Sequence, residues 1–114
     1  MARIPVRSYG PAQIATGPTT VITVPAGEKL HLKNLHLSNP SASPVPFTLS
    51  IGADAAGTRL WSSYSIPAAG AGVTDSVRRI PMNEVMEAGE ILTLSAGTNN
   101  VLVITITADR ILLG

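Results

Sequence analysis

The chain has 114 residues, a formal net charge of +1 and no cysteine. That is about the modal size for one domain around one core, and it rules out disulfides and thiolate-bound metal. With one Trp, one Phe and two Tyr, and no block of one charge sign, it lacks the basic field and stacking platforms of a nucleic-acid binder.

Residues 1–18 contain Pro5, Pro11 and Pro18. Proline fixes φ and removes a donor, which predicts an extended N-terminal arm rather than a helix. Either this is a loose terminus, or the apolar Ile4, Val6 and Tyr9 lay it on another subunit. No apolar run follows the charged start MARIPVRSYG, so a secretion signal is not expected. No stretch approaches the ~20 apolar residues of a membrane span. Assembly in a cytoplasm, with no membrane partner, is the expectation.

From Thr19 the pattern is short strands separated by turn residues. Thr19 to Val24 is rich in β-branched residues and ends at Pro25-Ala26-Gly27-Glu28. Lys29 to Ser38 alternates, but its apolar phase slips between Leu30/Leu32 and Leu35/Leu37. A one-residue slip flips every later side chain, so a bulge near Lys33-Asn34 is predicted. Asn39 to Pro46 reads as a proline-rich loop, and Val45, Phe47, Leu49 and Ile51 as an inward face.

After the turn at residues 52–57, Arg59 to Ile66 reads as a strand with Leu60, Tyr64 and Ile66 on one face and Trp61 on the other. A connection over 67–72 leads to a short strand carrying Val73, Asp75 and Val77. Ile80 to Glu87 is the one place where a helical turn is conceivable. Ile91 to Ala96 is a strand, Gly97 to Asn100 a hairpin loop, and Val101 to Ala108 a central strand buried on both faces. Ala-Gly-Glu occurs twice, at residues 26–28 and 88–90, which suggests two similar corners.

Seven or eight strands at this spacing predict an all-β fold, a single β-sandwich or jelly-roll-like domain. The division is an arm at 1–18, the sandwich at 19–108 and an apolar tail at 109–114. Ile111, Leu112 and Leu113 in that tail either extend the last strand into the core or dock on a neighbour.

Chemistry is sparse. There is no nucleophile elbow, no phosphate-binding glycine loop and no metal-ligand spacing. His31 and His36 are five apart on one strand, and the bulge would bring both to the outer face. Seven acids lie mostly in or beside turns, with no pair in an apolar setting. Arg78-Arg79 is a basic pair expected to bridge to Glu84 or Glu87. No enzyme activity and no cofactor are expected.

Val24 to Gly27, Leu35 to Asn39, Phe47 to Ile51 and Ala88 to Leu92 form a recurring order of corner, strand, loop, strand and second corner. In this the chain resembles small virion structural proteins of tailed bacteriophages, of the minor tail or capsid decoration type. The resemblance covers roughly residues 21–107. It implies localisation in the virion, contacts with major capsid or tail proteins, and a homo-oligomer; decoration proteins often form trimers over capsid joints. It implies no catalytic residue.

The physical reading agrees. Only 13% of residues are charged, about half the ~25% of ordinary soluble domains, so surfaces hidden by neighbours are expected. Candidate interface residues are Ile4, Val6, Tyr9, Ile111, Leu112 and Leu113. The alternative is a carbohydrate-binding module using Trp61 and Tyr64, which face opposite sides of a strand unless a bulge intervenes.

Overall fold

The structure, a computed structural model, describes residues 2–53, 55, 57–67 and 77–113. The strands among these residues are β1 (Ala2–Gln13), β2 (Thr19–Thr23), β3 (Glu28–Ser38), β4 (Val45–Ile51), β5 (Arg59–Ile66), β6 (Val77–Met86), β7 (Ile91–Ala96) and β8 (Val103–Leu112). They form two four-stranded sheets, in the orders β1-β8-β3-β6 and β2-β7-β4-β5. Every neighbouring pair is antiparallel.

The order has a simple origin. β1 pairs with β8, β2 with β7, β3 with β6 and β4 with β5, as in one long hairpin ribbon with its tip between β4 and β5. Rolling that ribbon brings β8 against β3 and β7 against β4. The fold is therefore a jelly roll, one of the ways an antiparallel sheet protects its edges.

Each bend of the ribbon carries two connections side by side, and bonds run between them. At the first, Ile14 N–H donates to Leu102 O and Asn100 N–H to Ile14 O. At the second, Gly89 N–H donates to Val24 O and Val24 N–H to Glu90 O. The two Ala-Gly-Glu tripeptides are thus adjacent corners of one bend, with Gly27 and Gly89 at φ +79° and +85°. The third bend relies on a side chain. Buried Asn39 donates from Nδ2 to Ile66 O at 3.0 Å and Ser43 O at 2.9 Å, while its Oδ1 accepts from Ser41 N–H.

The bulge in β3 lies where the leucine phase predicted it. Register slips between Leu32 and Asn34 against both β6 and β8, and Leu30, Leu32, Leu35 and Leu37 all point into the core. Phe47, Leu49, Leu92, Leu94, Ile104 and Ile106 complete the layer between the sheets.

Several expectations are corrected. Residues 2–13 are not an arm outside the sandwich but its β1 edge strand, since their donors and acceptors pair with β8. The boundary at 109 moves likewise, because β8 runs to Leu112. Ile80 to Met86 is strand, paired with β3, so tertiary pairing overrides the weak helical signal. Residues 97–102 form a bend between sheets, not a hairpin, because β7 and β8 lie in different sheets. β8 is central but buried on one face only, with Ile104, Ile106 and Ala108 inward and Thr107 exposed. The strand expected around Val73 and Asp75 lies outside the described residues.

Thr93 is buried, and its hydroxyl donates to Gly52 O at 2.7 Å, tying β7 to the ribbon tip. Thr93→Val keeps the shape and strands that acceptor. A loss of about 1–2 kcal/mol is expected, read as a lower urea midpoint with an unchanged slope.

Candidate functional site

Pairing of β1 with β8 brings the two chain ends together. Ala2 lies opposite Leu112, Arg3 opposite Ile111 and Ile4 opposite Arg110. Candidate interface residues separated by a hundred positions thus share one end of one sheet. Ile4 is 39% exposed and Leu113 41% exposed, and Val85 of β6, 46% exposed, lies near the same end, opposite His31. Leu113 is held there by its N–H, which donates to Gly27 O at 2.9 Å.

The other candidates differ. Ile111 is buried, so it extends β8 and is not free to dock. Leu112 is half-buried. Tyr9 is half-buried and packs on the core. Val6 is half-buried at an opening between β1 and β2 of about 250 Å³, where Ile22, Val24 and Leu30 give apolar walls and Arg7, Glu28 and Arg110 a charged rim.

The large exposed apolar side chains among the described residues lie on outer strands, Ile4 on β1, Leu60 and Tyr64 on β5 and Val85 on β6, except Leu113, which follows the central β8. The shared inward face expected for Leu60, Tyr64 and Ile66 is corrected, since only Ile66 is buried. For Leu60 the reason is a bulge, whereas Tyr64 keeps the register of Ile66, opposite inward Phe47, and is exposed because β5 is an edge strand. Tyr64 lies opposite Phe47 and Trp61 opposite Leu49, so three steps of β5 match two of β4. That bulge is the condition under which the two aromatics cease to alternate, but the Trp61 side chain lies outside the described residues.

The outer face of β1-β8-β3-β6 is polar. Both histidines reach it, because the bulge reverses parity between positions 31 and 36. Arg3 donates to Asp109 Oδ2 at 2.9 Å and to His31 Nδ1 at 3.0 Å. A guanidinium can only donate, so His31 Nδ1 accepts there and its Nε2–H is the donor to Asn83 Oδ1. Lys33 Nζ lies 3.8 Å from the same Asp109 oxygen.

Elsewhere Arg110 bonds Glu28 at 2.8 Å, and its pKa is raised by that hydrogen bond and by the carboxylate charge. Exposed pairs of this kind contribute little to stability. Glu87, expected to bridge Arg78-Arg79, lies 3.4 Å from Lys29. Among the described residues no three His, Cys, Asp or Glu side chains converge as metal ligands would.

No protein-family model and no curated protein matches the chain. Among solved structures, a chain of the infectious bursal disease virus Gx strain is similar at 12% identity and TM-score 0.51, over 95% of this chain and 32% of that one. This chain thus spans about a third of that virus chain. The capsid asymmetric unit of cyanophage Pam1 gives 19% identity and TM-score 0.45, covering 98% of this chain and 82% of that one. Bacillus endospore appendages, a family of disulfide-linked pili, give 8% identity and TM-score 0.49, covering 99% and 87%. At such identities the likeness is one of fold, and at 0.51 the fold shared with the virus chain is this two-sheet β-sandwich.

Proposed function

We propose that this chain is a structural subunit of a bacteriophage virion, added to the particle as a capsid decoration or minor tail protein, and without catalytic activity. The carrying observation is the meeting of both chain ends on one sheet, where exposed Ile4 and Leu113 lie beside the β1 edge. A jelly roll presenting apolar side chains at its outer strands and few charges suits lateral packing against copies and against a shell. The fold likeness to a virus chain supports the same reading. Fold alone does not carry function, so the weight rests on those edges.

The test is the mass of the 11.8 kDa chain in solution and its position in a particle reconstruction. A multimer is expected by sedimentation, at many equivalent positions on the particle. Ile4→Glu and Leu113→Glu should each weaken self-association at least tenfold, consistent with about 1.5–3 kcal/mol for a fully buried aliphatic side chain. Neither should lower the melting temperature much, since both side chains are exposed in the subunit. A monomer at high concentration that binds glycans would refute the proposal in favour of a carbohydrate-binding module.

A further inference from the structure

Near-neutral net charge conceals an uneven distribution. Arg3, Arg7, Lys33 and Arg79 reach the outer face of β1-β8-β3-β6, while Asp109 is the carboxylate among them. Four cations against one acid leave this face with three positive charges in excess, on a chain whose net charge is +1. Glu87 is taken by Lys29, and Glu84 lies in register with inward-facing Leu32.

Two depressions adjoin on this face and share Thr107. One, of about 390 Å³, is lined by Asn34, His36, Arg79, Thr105 and Thr107. The other, of about 380 Å³, has Arg7 and Lys33 beside Asp109. The first holds no acid; its guanidinium, imidazole, amide and hydroxyls can all donate. Neither Arg7 nor Arg79 has an ion-pair partner among the described residues. An unpaired guanidinium among hydroxyl and amide donors is the chemistry that binds phosphate-type oxyanions.

We propose that this face binds a linear polyanion through its phosphate groups, one seated at Arg79 and His36 and a following one at Arg7 and Lys33. β1 and β6 are three strand spacings apart, about 14 Å, so the two seats lie on a path that one chain can follow across the sheet. With no Phe, Tyr or Trp at either seat, the face reads charge and not bases. This goes beyond the structural role and does not require it.

The test uses the full chain and long-chain polyphosphate, with binding followed by titration calorimetry from about 20 to 150 mM salt. Saturable binding that weakens with salt is expected. Arg79→Gln and Lys33→Gln should each weaken it at least fivefold and lower the salt slope by about one. Arg110→Gln, whose guanidinium is held by Glu28, should leave it unchanged. Inorganic phosphate should shift the His36 ring resonances in wild type and not in Arg79→Gln.

No polyphosphate binding at low salt would overturn the proposal, and is the result expected if this face instead receives an acidic protein surface. Equal loss in Arg110→Gln would also overturn it, by showing attraction without a site. A thymidine oligomer binding more tightly than polyphosphate of equal charge would overturn the claim that charge alone is read. Loss of particle assembly with polyphosphate binding intact would count against the structural role and leave this inference standing.

Discussion

Asn39→Asp is expected to destabilise the fold by about 3–5 kcal/mol at neutral pH, the range for an uncompensated buried charge. The substitution keeps the shape and replaces the amide by a carboxylate. In the native chain Nδ2 faces three carbonyls, of Ser43, Ile66 and Pro67, at 2.9, 3.0 and 3.2 Å. A carboxylate there would direct negative charge at all three. The effect is large because this bend has few backbone donors of its own: Pro40, Pro44, Pro46 and Pro67 carry no N–H. Among the described residues the other two bends close with backbone bonds, and this one with the Asn39 amide.

The sign with pH follows. The introduced carboxyl is tolerated in its neutral, donating form, so its pKa in the folded state is raised above the unfolded value. Stability is then retained below the unfolded pKa and lost as pH rises through the folded one. The variant should therefore be closest to wild type in acid and fall behind towards neutrality. Thermal melts between pH 4 and 7 check this, with a deficit of more than about 12 °C at pH 7. An equal deficit at every pH would show that shape, and not charge, is what Asn39 contributes.

Gly10→Ala is the second large effect. Gly10 sits at φ +85°, and a Cβ there would lie 2.1 Å from Ile104 O. The positive φ alone costs an L-residue about 1–3 kcal/mol. The overlap is with backbone, which no rotamer change relieves. β1 must therefore draw away from β8 around the register shifts that flank Gly10, between Arg7 and Ala12. Hydrogen exchange should show early loss of protection in β1, with the strands of the β2-β7-β4-β5 sheet still protected. If residues 2–13 were a detached arm, the substitution would be silent.

That contrast marks where the sequence was legible. The β3 bulge could be read because four leucines change parity at one place, and burial on one face leaves no other repair. The paired Ala-Gly-Glu corners were visible as a repeated tripeptide, although not that they touch. β1 was not legible as a strand, since its prolines argue against a central position while an edge strand tolerates them. Leu60 was placed inward by simple alternation, which the β5 bulge breaks without an apolar phase slip to announce it.

The candidate surface divides in the same way. Ile4 and Leu113 were marked by being apolar near the ends, but their common location depends on β1 and β8 pairing across a hundred residues. Arg79 was marked only as half of the Arg78-Arg79 pair, and Arg7 and Lys33 gave no local signal, because a charge on alternate positions is the ordinary pattern of a solvated face. Only pairing across four strands gathers them.

By itself, then, the order of residues determined the all-β class, most of the strands and the inward leucines, because alternation and turn chemistry act within a few residues. The tertiary structure decided the jelly-roll order, the meeting of the chain ends and the cationic face. Those depend on which strands become neighbours, and that choice is made by burying both sheets at once, beyond the reach of any local pattern.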